Sequence, residues 1–303
     1  MYNKVTGPVV PLPVPFKIDQ EIDYEALSTY VTFLRERGIK TVMTTVGTSR
    51  FNLLSVDEIK KVNETVVDAA KGEIVTIVAN PAHGALSDAI SYAKHAEEIG
   101  ADVFLAYFPD RHYGDDSVFN FFETIANIVN INIIIHEMPL KNGLGGGQVH
   151  YSVDLLARLF KIKNVIGLKE ESLDPAHSEK IVKMFSGSSV IIGAGGGMSR
   201  YLRDYWLGAR TYLAGIANFY PELELEFYTA MQNEDYKKAY KIVHNIEKPF
   251  FEATVPIGWH VCLKEALNIC GLAPSYERLP MTQINEQQAK SLKAVMKSFG
   301  WVK

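Results

Sequence analysis

The strongest constraint on how this chain folds is an alternation that runs through its first two thirds. Eight short β-branched runs alternate with seven longer stretches whose apolar residues recur with helical period. The strand-like runs cover residues 9–14 (interrupted by prolines), 41–46, 74–79, 102–107, 132–136, 165–169, 190–193 and 211–214. Between them lie helical stretches at 24–37, 55–70, 85–99, 117–129, 153–161, 177–185 and 199–207. Ser55 with Glu58 three residues on reads as a capping box, and Gly38 closes the helix before it. Alternating β and α units imply a parallel sheet, and eight of them fit a closed (β/α)8 TIM barrel of the α/β class better than an open sheet.

From Pro221 the strand signal stops. Residues 223–232, 236–251, 258–270 and 286–299 carry helical patterns, so the expected organisation is a barrel over 1–220 and a helical extension over 221–303 packed on it. No linker rich in Gly, Ser or Pro separates the two. The 303 residues are 47% apolar and 22% charged, enough for a large core, and the net charge of −4 gives no reason to expect a nucleic-acid partner. The first sixteen residues hold no long apolar run, which argues against a signal peptide or membrane span. Cys262 and Cys270 lie on one expected helix, roughly 12 Å apart along its axis and too far for a disulfide, so the expected setting is a reducing cytoplasm.

Barrel enzymes place their chemistry just past the C-terminal ends of the strands. The residues there are Gly47-Thr48-Ser49 after the second strand, His136-Glu137 ending the fifth, Lys169-Glu170 ending the sixth, Gly195-Gly196-Gly197 after the seventh and Asn218 after the eighth. Lys169 is the informative one. It follows the apolar run Val165-Ile166-Gly167-Leu168, where desolvation disfavours an ammonium, and a neutral amine attacks a ketone to form an imine. The plainer alternative is a lysine whose head reaches solvent and pairs with Glu170 or Glu171. Thr48 and Ser49 offer two hydroxyls and two backbone N–H groups to a carboxylate, or else form an ordinary loop. His136 is expected one strand from Lys169 and suits proton transfer, although a lone histidine in an apolar strand is more often structural. The run at Gly195 offers N–H groups to an anion only weakly, and Gly145-Gly146-Gly147 reads as a flexible loop over the mouth.

Four segments resemble one family in order and spacing. VIGLKEES is similar to the lysine strand of the dihydrodipicolinate synthase / N-acetylneuraminate lyase family. VGTSRFNLLSVDE resembles its V-G-T-T-G-E-x-x-x-L-S segment, HEMPLKNG its Y-N-x-P-x-R-T-G segment, and GLAPSYERLPM its C-terminal G-x-x-x-x-x-x-R-x-P signature. The resemblance runs from Gly7 to the end. It implies a barrel with a helical tail, usually a homotetramer (a dimer is the other expectation), and a class I aldolase-type mechanism with no metal or other cofactor. It also implies that Lys169 forms the imine, that Gly47, Thr48 and Ser49 hold the carboxylate of a 2-oxo acid such as pyruvate, and that Ile216 lies beside it.

The departures from that pattern bear on the reaction. The family's tyrosine on the fifth strand is His136 here. Arg50 and Phe51 replace the second Gly and the Glu of G-T-T-G-E, Arg111 stands where some members carry a tyrosine shared across subunits, and Lys141 aligns with the arginine at the mouth. His136 is therefore expected to act as the acid/base group and, if protonated, to depress the Lys169 pKa. Arg50, Arg111 and Lys141 are expected either to select an anionic substrate or to be solvated or paired with Asp110, Asp115 and Asp116. Three readings follow. One is a Schiff-base lyase that cleaves, condenses or dehydrates a 2-oxo acid, with dihydrodipicolinate synthase proper as a special case. Another is a non-catalytic relative that binds such acids. The third is a metal-dependent aldolase using His83, His136 and Glu137 or Glu170, against which the absence of metal-type histidine spacing counts.

Overall fold

A computed structural model describes residues 4–109 and 111–303. Eight parallel strands close into a barrel in the order β1, β11, β10, β9, β6, β4, β3, β2. These are β1 (Gly7–Pro11), β2 (Thr41–Thr44), β3 (Val75–Ala79), β4 (Val103–Tyr107), β6 (Asn132–Glu137), β9 (Val165–Glu170), β10 (Val190–Gly193) and β11 (Thr211–Leu213). Helices α1 (Tyr24–Glu36), α2 (Val56–Ala70), α3 (Leu86–Glu98), α4 (Asp115–Ile128), α5 (Val153–Leu159), α6 (Pro175–Phe185) and α7 (Gly197–Asp204) join successive barrel strands. Strands covered on both faces need apolar side chains on both, which is why all five residues of β4 are buried. The expected alternation is thus observed, with strand ends shifted by a few residues; β1 stops at Pro11 and begins two residues earlier than expected.

By compactness the chain forms two units, one of residues up to Val9 with Val75–Leu213, the other of Val10–Ile74 with Ala214–Lys303. In the first unit, two bonds of sequence logic fix the strand ends that matter. Gly167 on β9 faces Val190 on β10, where a Cβ would lie 2.1 Å from the Val190 carbonyl oxygen, so only glycine fits. The pairing of β6 with β9 slips by one residue between Ile133 and Ile134, leaving Ile166 as an extra residue in β9. Beyond that bulge His136 pairs with Lys169 and Glu137 with Glu170.

A small second sheet also belongs to this unit. β5 (Arg111–His112) pairs parallel with β7 (Leu140–Asn142), which pairs antiparallel with β8 (Gln148–Val149). The run Gly145-Gly146-Gly147 is therefore the turn of a β-hairpin, not the free loop expected. The Asn142 N–H donates to the Gly147 carbonyl at 3.0 Å and the Gly146 N–H to that of Asn142 at 2.8 Å, and a Cβ on Gly146 would lie 2.3 Å from the Asn142 oxygen. The short strands carry too few apolar residues to show in the sequence.

In the second unit the expected capping box is formed, Glu58 N donating to Ser55 Oγ and Ser55 N to the Glu58 carboxylate at 2.8 Å. The C-terminal part holds α8 (Pro221–Gln232), α9 (Tyr236–Ile242), α10 (Lys248–Thr254), α11 (Trp259–Ile269) and α12 (Glu286–Ser298). The helix expected at 236–251 is interrupted by a π-helical turn, Val243–Glu247. Pro249 supplies the reason: it has no N–H to donate and its ring crowds the carbonyl four residues back, so the ladder widens just before it. Arg278, from the C-terminal motif, donates to the carbonyls of Gln20 and Leu53 and to the Glu58 carboxylate, tying the α2 cap to the tail. Cys262 on α11 and Cys270 just past its end are both free thiols, and no described helix is long and apolar enough to cross a membrane.

Gly167→Ala is expected to destabilise the fold by about 1–3 kcal/mol, because the added methyl meets backbone that cannot yield; a denaturant titration showing an unchanged midpoint would contradict this packing.

Candidate active site

Across β4, β6 and β9 the register places Tyr107, His136 and Lys169 side by side. The His136 ring stands edge-on to Tyr107, centroids 4.4 Å apart, and its Nε2 lies 2.7 Å from Lys169 Nζ. Both His136 and Lys169 are 3% exposed. Glu171, just past the end of β9, closes the group: its Oε2 accepts a hydrogen bond from Lys169 Nζ and lies 2.7 Å from His136 Nε2. Residues two apart along an extended chain share a face, so a carboxylate at 171 returns to the side of Lys169.

The proton on His136 has one good place. Its Nδ1 is buried without a hydrogen-bond partner. A buried N–H left unpaired costs more than an idle lone pair, so the neutral ring carries its proton on Nε2 and donates to Glu171. Burial first, then the Lys169 charge, pushes the His136 pKa down to about 4. The imidazole is therefore neutral near pH 7, and the expected repulsion of Lys169 by an imidazolium is absent. Lys169 itself is lowered from the ordinary lysine value mainly by burial, partly offset by the Glu171 charge. Glu171 is held far below the usual carboxylate range: burial opposes its ionisation, but the Lys169 charge and the His136 hydrogen bond outweigh it.

The next residues along the two strands point to the opposite face and are locked there. Glu137, fully buried, accepts from Tyr151 N at 2.9 Å and contacts His177 Nε2 on α6 at 3.0 Å, and this raises the His177 pKa. Glu170, also fully buried, is paired with Arg200 on α7, which in turn bonds Ser178 Oγ at 2.7 Å and Asp204 at 2.8 Å. Of the two carboxylates considered as partners for Lys169, Glu171 is the one that holds it. His136 and the carboxylates of Glu137 and Glu170 face apart, so these groups do not converge as a metal-ligand set.

Gly195, Gly196 and Gly197 all take positive φ at the start of α7. Gly193 and Gly196 make room for Arg200: a Cβ on Gly193 would lie 2.8 Å from Arg200 Nε and one on Gly196 3.0 Å from Arg200 Cβ, whereas one on Gly195 would meet nothing within 4 Å. Arg200 also donates to the Ala194 carbonyl. Arg111 and Lys141 are direct partners across β5 and β7, with Lys141 exposed. Asp115 is taken by His112 and Ser152, Asp116 by Arg158, and Asp110 lies outside the described residues.

In the second unit Gly47–Ser49 forms a single tight helical turn after β2. Ser49 N donates to the Val46 carbonyl at 2.9 Å and Ser49 Oγ to that of Leu12, so two of the four donors expected from Thr48 and Ser49 are already committed. Arg50, in the left-handed region, pairs with Glu277 at 2.9 Å in a buried contact that Glu277 shares with Lys264. Of the two expectations for Arg50, an anionic substrate or a pairing with an acidic residue, the structure shows a pairing, with Glu277 in place of the aspartates considered. Ile216 is fully buried in the turn after β11, whose Gly215, Ile216 and Ala217 N–H groups all donate to the buried Glu224 carboxylate at 2.9–3.2 Å. Asn218 in that turn accepts from the Tyr30 hydroxyl.

The family model described as "Dihydrodipicolinate synthetase family" matches residues 4–299. The chain belongs to that family. A 4-hydroxy-tetrahydrodipicolinate synthase of Aquifex aeolicus is 29% identical over 300 residues, 97% of each chain. A solved dihydrodipicolinate synthase structure from Aquifex aeolicus superposes with TM-score 0.82 at 28% identity, covering 98% of this chain and 99% of the other. The N-acetylneuraminate lyase of Fusobacterium nucleatum shares the fold with TM-score 0.86 at 22% identity, covering 98% and 99%. The dihydrodipicolinate synthase / N-acetylneuraminate lyase family is a family of lyases, and this chain is a member with a histidine–glutamate pair on its strand lysine. Glu171 was not singled out from the sequence as a site residue; its spacing of two from Lys169 is the signal that finds it.

The low His136 pKa predicts that a histidine NMR titration of the folded protein shows this ring neutral down to about pH 5. A midpoint near 6.5 would mean that the ring is solvated rather than packed as described.

Proposed function

We propose that this protein is a Schiff-base lyase acting on pyruvate or another 2-oxo acid, making or breaking a C–C bond or dehydrating a 2-keto-3-deoxy acid. The observation that carries the reading is the buried Lys169 amino group at the end of a barrel strand, destabilised as an ammonium and in contact with an imidazole. In the neutral form its nitrogen adds to the C2 carbonyl of the acid, and loss of the carbonyl oxygen as water leaves an iminium. The iminium draws electrons from the C3 side, so a C3–C4 bond breaks or a C3 proton departs. The family resemblance implies that Gly47, Thr48 and Ser49 hold the carboxylate of the acid and that Ile216 lies beside it. His136 moves protons at the reacting carbons where the family resemblance has a tyrosine. The activities of the similar proteins support the class of chemistry, and the histidine argues that the acceptor or leaving group differs from theirs.

Borohydride reduction in the presence of pyruvate is expected to leave a stable adduct on Lys169, located by peptide mass spectrometry. No adduct with several 2-oxo acids would remove the reading. The trapping rate should rise with pH and level off below the value near 10.4 of a free lysine, because the lowered Lys169 pKa makes the reactive amine available earlier. His136→Phe is expected to cut turnover by about 10²–10⁴-fold while leaving the adduct in place; unchanged turnover would assign the proton transfers elsewhere.

A further inference from the structure

We infer that Glu171 is a catalytic residue, the base that takes the proton from the Lys169 ammonium and the acid that returns it to the departing oxygen during imine formation. This rests on the imine reading above and names the group that makes it work.

The geometry singles out Glu171 among the charged neighbours of Lys169. Its Oε2 contacts Lys169 Nζ directly and is also the atom facing His136 Nε2. Glu170, the adjacent carboxylate, lies on the other face, where Arg200 engages it. Glu137 is likewise occupied by His177. Among the three members of the cluster, the Lys169 and His136 side chains are 3% and 2% exposed, whereas that of Glu171 is 34% exposed. It is the member with a face toward solvent, so it can both touch the Lys169 nitrogen and exchange its proton. His136, donating to Glu171 from Nε2, fixes the carboxylate's position and keeps it ionised until the lysine proton arrives.

The step balances. Lys169 in its ammonium form gives one proton to the Glu171 carboxylate and becomes an amine. The amine adds to the C2 carbonyl; the nitrogen loses a second proton and the oxygen gains it, giving a carbinolamine. Protonated Glu171 then donates to that hydroxyl, the C–O bond breaks, and water leaves. The products are the iminium, one water and the original carboxylate, which now faces the positive iminium nitrogen. No other reactant is consumed.

The test is the single-turnover rate of adduct formation on the full-length protein with pyruvate, under cyanoborohydride high enough that imine formation is limiting. Glu171→Gln, which keeps size and hydrogen bonding, is expected to slow adduct formation about 100-fold or more near neutral pH. In Glu171→Ala, added formate is expected to restore much of the rate, because a free carboxylate can fill the gap, whereas a merely structural defect would not respond. Glu171→Asp should retain an intermediate rate and serves as the second variant if the others fold poorly. Adduct formation in Glu171→Gln within about threefold of the parent would overturn the inference and leave the imine reading standing. A slowed rate with neither formate rescue nor recovery in Glu171→Asp would also overturn it. Failure of the parent protein to form any adduct would overturn both readings together.

Discussion

The site depends on the register between β6 and β9. Without the extra residue at Ile166 the two strands would pair one step out of phase, and His136 and Lys169 would project to opposite faces of the sheet. Gly167 holds the bulged strand close against β10, where any side chain would strike the Val190 carbonyl. A backbone irregularity and a missing Cβ therefore decide that an imidazole meets an amine.

Once that register is set, charge distribution follows from alternation. The strand ends read His136-Glu137 and Lys169-Glu170, so one member of each pair faces the amine cluster and the other faces the surrounding helices. Each outer carboxylate has its own partner, His177 or Arg200. A buried carboxylate without a partner would be costly, and a second one beside Lys169 would add to the upward pull that Glu171 already exerts on the lysine's pKa. Diverting Glu137 and Glu170 outward leaves Glu171 as the carboxylate that faces the amine, and that carboxylate reaches solvent.

Much of this was legible from the chain itself. The eight alternating units, the Ser55–Glu58 cap and the place of Lys169 follow from periodicity and strand-end position, which local sequence encodes directly. The partners of Arg50 and Glu170 did not. Arg50 pairs with Glu277, and Glu170 with Arg200, across separations that no local pattern reports. The glycines at 195–197 read as a weak anion cradle because glycine marks any close approach; at Gly193 and Gly196 what approaches is Arg200, a contact that no local pattern reports. The hairpin around Gly146 is not legible for a different reason, since strands of two or three residues leave no alternation to read. His136 was recognised as a proton carrier, but its neutrality depends on burial and on an Nδ1 without a partner, which are properties of the packed state.

The outward pair Glu137 and Glu170 also separates two kinds of change. Each anchors a helix to the barrel through a residue on the helix, while the inward neighbours His136 and Lys169 carry no such tie. A substitution at an inward position changes the imidazole–amine contact without removing a tie to α6 or α7, and a substitution outward removes such a tie without changing that contact. Strand ends built this way let new chemistry be tried one residue at a time on a scaffold whose fastening lies on the other side of the same backbone.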